Sequence, residues 1–270
     1  MPELPEVETI AHQLRAELNG KTIQDVRVFW KRSVQGDIND FKKNLIGLSI
    51  RGINRRGKYI CFCLDRHRHL TLHLGMTGKL LFSLAEKERK HLRIEFTLDQ
   101  GLSLYFHDIR KFGKARIWEA CEPLLPRLGR EPLDKEIVLQ ALQSLKTNRA
   151  MKNVLLDQQI LAGIGNIYAD EALFRAGIHP LKPAAKVNPD KLKYLSEVIP
   201  IILQQAIDNM GTTISNYRPP NHPKGKNQQF LKVYGREGHC CDICGTKIKK
   251  IRINNRSSNF CPRCQPDENV

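Results

Sequence analysis

The sequence predicts an α+β multidomain protein: an N-terminal helix, a β domain, a helical domain and a C-terminal metal-binding hairpin. Three observations predict it. In EVETIAHQLRAELNG, Val7, Ile10, Ala11, Leu14 and Leu18 recur at helical spacing, with Pro5 near the start and Gly20 at the stop. The next hundred or so residues carry short alternating or wholly apolar segments broken by turns, and from about residue 133 the spacing becomes helical again. Five of the eight cysteines then crowd between positions 240 and 264.

Taken in order, the first helix leads into TIQDVRVFW, KYICFCL, HLTLHL, RIEFTL, LSLYFHDI and KARIWEA, strands of a sandwich or barrel. Cys61, Cys63 and Cys121 read as small buried hydrophobes. A linker near Pro126 to Pro132 precedes the helical segments KEIVLQALQSLK, AMKNVLLDQ and NIYADEALFRAG and a long one from Asp190 to Asn209. NYRPPNHPKGKNQQ, from Asn216 to Gln229, has no period and is rich in Pro, Lys and Asn, which predicts a mobile basic loop. The expected domains are therefore 2–132, 133–220 and 221–270.

Cys241 with Cys244, and Cys261 with Cys264, form two C-x2-C pairs separated by 16 residues. That spacing suits four thiolates around one tetrahedral zinc, a structural ion with no open position for water. Two disulfides are the alternative, disfavoured where thiols are kept reduced.

Composition narrows the function. The chain of 270 residues has 44 Lys and Arg against 28 Asp and Glu, a formal charge of +16, and such an excess points to a polyanionic partner. No run of about 18 apolar residues is present to span a bilayer. The first 20 residues carry four glutamates where a signal peptide is basic and then apolar. The expected setting is cytoplasmic.

The opening MPELPEVETI has its own chemistry. Initiator methionine is normally trimmed before proline, which leaves Pro2 with a free secondary amine. An α-amino group titrates near 8 and a lysine near 10.4, so the former offers roughly a hundredfold more neutral nucleophile at pH 7. Condensed with a sugar aldehyde carbon, a secondary amine gives an iminium that acts as an electron sink, and Glu3 and Glu6 stand beside it to move protons. The other reading is that Pro5 merely begins a helix and the glutamates complement its dipole.

MPELPEVET, HLGMTGKL, DIRKFG, GIGNIYADEALFRAGIHP and the terminal C-x2-C-x16-C-x2-C, in this order, resemble the bacterial formamidopyrimidine-DNA glycosylases over nearly the whole chain. The resemblance implies an N-terminal β-sandwich with an N-terminal helix, a helical helix-two-turns-helix domain and a C-terminal zinc-finger β-hairpin. It implies a monomeric bifunctional DNA glycosylase and apurinic/apyrimidinic lyase of base excision repair. The substrate would be double-stranded DNA carrying oxidised purines or abasic sites, met at the bacterial nucleoid, with one structural zinc and no diffusible cofactor. The sister endonuclease VIII branch, which prefers oxidised pyrimidines, usually reads PEGPE and lacks the DIRKFG element, so Leu4 and Arg110 to Gly113 favour the first branch.

Carried over residue by residue, the resemblance makes Pro2 the nucleophile, Glu3 the general acid and base, and Glu6 a support for the N-terminus. Lys58 would assist β-elimination and contact phosphate. Arg256 matches the finger arginine to which the family's δ-elimination is attributed, a catalytic role; a guanidinium holds its proton too tightly to donate it, which favours clamping the phosphates flanking the lesion. His73, Met76, Arg110 and Phe112 would surround the lesion, with Met76 and Phe112 filling the void left by an extruded nucleotide and Arg110 bonding the widowed base. Lys111, where many relatives carry a second arginine, would preserve the charge. His91 and Asn166 would contact DNA, Asn166 also serving as a helix N-cap. Lys152 would handle the oxidised purine and Arg149 would take a phosphate, while Arg218 to Lys226 would form the lid over an everted base.

Overall fold

A computed structural model describes residues 1–119, 127–212 and 225–267. Cys121, the start of the expected linker and most of the expected lid lie outside them. The chain divides into two compact units, Met1–Pro126 with Met210–Lys226, and Arg127–Asn209 with Asn227–Val270.

The first unit opens with helix α1, Leu4–Leu18. Val7, Ile10, Ala11, Leu14 and Leu18 are each no more than 1% exposed. Burial of a large apolar side chain of this kind is worth roughly 1.5–3 kcal/mol, which is what holds this stripe on the core. The strands are β1 (Ile23–Val28), β2 (Ile50–Arg56), β3 (Tyr59–Leu64), β4 (His69–His73), β5 (Gly78–Leu81), β6 (Leu92–Leu98), β7 (Ser103–Asp108) and β8 (Lys114–Trp118). They make two four-stranded sheets, ordered β1-β6-β7-β5 and β2-β3-β4-β8, antiparallel throughout. Residues of both sheets and of α1 share one apolar core, so the alternative between sandwich and barrel resolves to a sandwich.

Two strands and one helix escape the sequence pattern. In β2, IRGINRR, the buried residues are three apart because the pairing with β3 shifts register between Ile50 and Gly52. The four-residue β5 is too short to show a period. Helix α2, Ile38–Lys43, buries only Phe41 and is fixed by its N-cap Asp37, which accepts from the amides of Asn39 and Asp40. A correction concerns Cys61 and Cys63. They are half-buried on the far face of β3, because Ile60, Phe62 and Leu64 take the alternate positions facing the core.

The second unit contains α3 (Lys135–Gln143), α4 (Met151–Leu156), α5 (Asn166–Arg175) and α6 (Pro189–Asp208), followed by the hairpin β9 (Lys249–Ile253) and β10 (Arg256–Phe260). Helices α3 and α5 pack on α6, and α5 also packs on β10. Asp134 caps α3 through the Ile137 amide, and Asn188 caps α6 through the Asp190 amide. Pro200 lies inside α6 without ending it.

Candidate functional site

At the start of the first unit, Pro2 is buried directly ahead of Glu3, the N-cap of α1. Glu3 and Glu6 form a capping box, with the Glu3 amide donating to Glu6 Oε2 at 2.8 Å. The other Glu6 oxygen, Oε1, accepts from the amide of Thr212 at 2.8 Å. Glu6 is 2% exposed and Glu3 3%, so two buried carboxylates stand in the first turn of one helix. Gly211 has φ +77°, and a Cβ there would come within 3.0 Å of the Glu6 side chain, so the backbone that holds Glu6 passes where only glycine fits.

Lys58 occupies the tight turn between β2 and β3 and is buried. His73 ends β4, opposite Tyr59 in the ladder, with ring centroids 4.8 Å apart. Its Nδ1 accepts from the Gly75 amide at 3.2 Å, which places the ring proton on Nε2. Burial, reinforced by the positive charge of Lys58, pushes the His73 pKa down to about 4, so at neutral pH this imidazole is an uncharged hydrogen-bond donor.

Beyond His73 two loops meet. Met76 and Phe112 are 42% and 52% exposed, unusual for side chains of this size, and the Arg110 guanidinium stacks over the Phe112 ring at 5.0 Å. Lys111 adopts φ 63° and lays its ammonium over Trp30, 4.1 Å from the ring centroid. Asp108, wholly buried at the end of β7, ties the loops together: Oδ1 accepts from the Thr77 hydroxyl at 2.5 Å and Oδ2 from the Gly113 amide at 2.8 Å. His91, at the end of the 3-10 turn Glu86–His91, packs edge-on against the buried His107, with centroids 5.5 Å apart. Burial, then the neighbouring Lys90, Arg93 and Lys111, lowers the pKa of His91.

The second unit gathers another set. Lys152, on α4, is 1% exposed and donates to Asp170 Oδ1 at 2.5 Å and to the Asn166 carbonyl at 2.9 Å. Asp170 also accepts from the Ser258 hydroxyl and from the Asn259 amide at 2.9 Å, both on β10. Its neighbour Glu171 accepts from three consecutive amides, Lys232, Val233 and Tyr234, at 2.8 to 2.9 Å. Adjacent carboxylates on α5 thus hold the chain ahead of each cysteine pair. Gly165, not Asn166, is the N-cap of α5, and the Asn166 side chain instead donates to the Ser257 carbonyl at 2.8 Å. Glycine suits that extended cap position, and the finger supplies the asparagine with a partner. Arg149 pairs with Asp157 at 2.9 Å. Arg149 and the exposed Arg256 line one polar cavity of about 400 Å³, together with Asn153 and Asn254.

The sulfurs of Cys241, Cys244, Cys261 and Cys264 lie within 4.8 Å of one another, at 3.8 Å for Cys241–Cys264 and 3.4 Å for Cys244–Cys261. Four thiolates about 2.3 Å from a tetrahedral zinc stand about 3.8 Å apart, so the set fits that ion and leaves it no open position. These cysteines form the zinc site of the hairpin.

Asp108, Thr77, Asp170 and Glu171 hold the candidate residues in place, and their part is not marked in the sequence, although each lies within or beside a quoted motif. The available signal was an acidic residue at the end of an apolar strand and an acidic pair within an otherwise apolar helix.

Comparison with known proteins agrees with this geometry. Residues 1–115 match the formamidopyrimidine-DNA glycosylase N-terminal domain, 128–218 the H2TH domain of the same enzymes, and 238–266 the zinc finger found in FPG and IleRS. The formamidopyrimidine-DNA glycosylase of Geobacillus kaustophilus is 40% identical over 274 residues, covering 98% of this chain and 100% of its own. That of Bacillus subtilis is also 40% identical, covering 98% and 99%. Two solved complexes of Lactococcus lactis Fpg, one with DNA containing an abasic site and one with DNA containing N7-benzyl-Fapy-dG, superpose with TM-scores of 0.89 at 36% identity, over 98% of this chain and all of theirs. With both ends of the molecule matched and the intervening motifs in the same order, this chain belongs to the formamidopyrimidine-DNA glycosylase family.

Proposed function

We propose that the protein is a DNA glycosylase and abasic-site lyase that removes oxidised purines from duplex DNA, with Pro2 as its nucleophile. The observation that carries this is the first turn of α1. Pro2 sits one residue before a buried Glu3 whose amide is fixed by Glu6, so the nitrogen exposed by loss of Met1 has a set place beside a carboxylate. Attack of that nitrogen on deoxyribose C1′ breaks the bond to the base, and the departing base takes up a proton. Glu3 protonates the ring oxygen, and the opened sugar is held as an iminium. Loss of a C2′ proton then expels the 3′ phosphate, a second elimination expels the 5′ phosphate, and a one-nucleotide gap remains.

Lys58 supplies positive charge and a proton beside the eliminating sugar, and the neutral His73 donates its Nε2 proton to a phosphate oxygen. Met76 and Phe112 fill the void, Arg110 bonds the orphaned base, and His91, Asn166, Arg149 and Arg256 bind backbone phosphates. Lys152 serves the interface through Asp170, because its ammonium is enclosed. The partner is damaged duplex DNA, bound by a monomer at the nucleoid.

Borohydride reduction during reaction with an 8-oxoguanine:C duplex should join the processed protein covalently to DNA at Pro2. A form that retains Met1 should bind the duplex and give no adduct. Normal turnover by that blocked form would remove Pro2 from the mechanism.

A further inference from the structure

The two loops that carry Met76 and Phe112 are separated by more than thirty residues of chain, yet they are built into each other. A Cβ on Gly75 would lie 2.9 Å from the Gly113 nitrogen and 2.9 Å from the Phe112 carbonyl carbon, so the two backbones are in direct contact. A Cβ on Gly113 would come within 2.3 Å of the Phe106 ring, which fixes how deeply the second loop is seated. Across this contact the polar groups close a ring. The Thr77 hydroxyl donates to Asp108 Oδ1 at 2.5 Å and accepts from the Arg110 amide at 3.0 Å. The same amide lies 3.2 Å from Asp108 Oδ1, the Gly113 amide reaches Oδ2 at 2.8 Å, and the Arg93 guanidinium holds the Asp108 carbonyl at 2.7 Å. A carboxylate with no exposure depends on such partners, and one of them comes from the other loop.

We propose that Thr77 and Asp108 form a latch that makes the Met76 loop and the Arg110–Phe112 loop one rigid wedge, so that both enter the duplex together. The proposal rests on the glycosylase reading above. Its physical content is preorganisation. Two independently mobile loops would each lose conformational freedom while the void is being filled, whereas a latched pair has lost it on folding. Thr77 and Asp108 are positioning residues. Neither needs to touch DNA, and the side chains they aim are Met76, Arg110 and Phe112.

Thr77→Val keeps the shape and removes the link. In single-turnover reactions, base excision from an 8-oxoguanine:C duplex should slow about tenfold, the equivalent of one lost hydrogen bond to a charged group. Strand cleavage at an abasic site in a single-stranded oligonucleotide, where there is no opposite base and no void, should hold its wild-type rate. Thr77→Ser, which keeps the hydroxyl, should restore duplex excision, and Thr77→Val added to Met76→Ala should cost less than the sum of the two. An unchanged duplex rate, an equal loss in both assays, failure of the serine variant to rescue, or full additivity would each overturn the latch. Wild-type protein inactive in both assays would instead overturn the glycosylase reading on which the latch rests.

Discussion

His73 illustrates how far a single residue's chemistry follows from its surroundings. HLGMTG identifies it as a candidate, but the motif does not give its protonation state, which depends first on burial at a strand end and then on the charge of Lys58. With a folded pKa of about 4 against about 6.5 unfolded, the unfolded chain binds the extra proton between these values. His73 therefore leaves stability unaffected above pH 6.5 and erodes it as the pH falls towards 4. Urea unfolding of His73→Asn, compared with wild type, should show a shallower loss across that window, by up to about 3 kcal/mol. An identical pH dependence would mean that the imidazole is not held neutral. The four cysteines can be picked out in the sequence because their spacing alone suggests their chemistry, whereas Pro2, Glu3 and Glu6 fit a plain helix start equally well and become candidates through the family resemblance. Lys152 is a candidate through the same resemblance, but its enclosure and its partner Asp170 are not legible, since a lysine's spacing says nothing of whether its head reaches solvent.

At the scale of elements, the long periodic segments were legible. The helix expected from Asp190 to Asn209 is α6, Pro189–Asp208, and the alternating KYICFCL is β3. Where a bulge changes the period, as in β2, or where four residues suffice, as in β5, the pattern carries too little information. The contact between α4, α5 and β10 is likewise invisible to local pattern, because it depends on the buried ion pair of Lys152 and Asp170. Lys152→Met should destabilise the protein by about 3–5 kcal/mol, as expected when one member of a buried pair is left uncompensated. The double variant with Asp170→Leu should fall short of the summed single losses. Chemical denaturation of the four proteins measures this coupling, and strict additivity would show that the pair is not coupled.

Across the whole chain, a formal charge of +16 and a metal hairpin both favour a polyanionic partner. A chelator should release about one zinc per chain and weaken DNA affinity, as measured by metal analysis alongside anisotropy titration. Unchanged affinity after metal loss would separate the finger from binding. The neighbouring carboxylates of α5 bear on how that metal is taken up. Glu171 moors residues 232–234, seven positions before the first zinc thiolate, and Asp170 moors Asn259, two positions before the third. The ligands are thus tethered on short leashes, and incoming zinc finds them already assembled at high local concentration instead of having to collect them from a coil. Recharging a stripped molecule should accordingly resemble filling a socket more than refolding a domain.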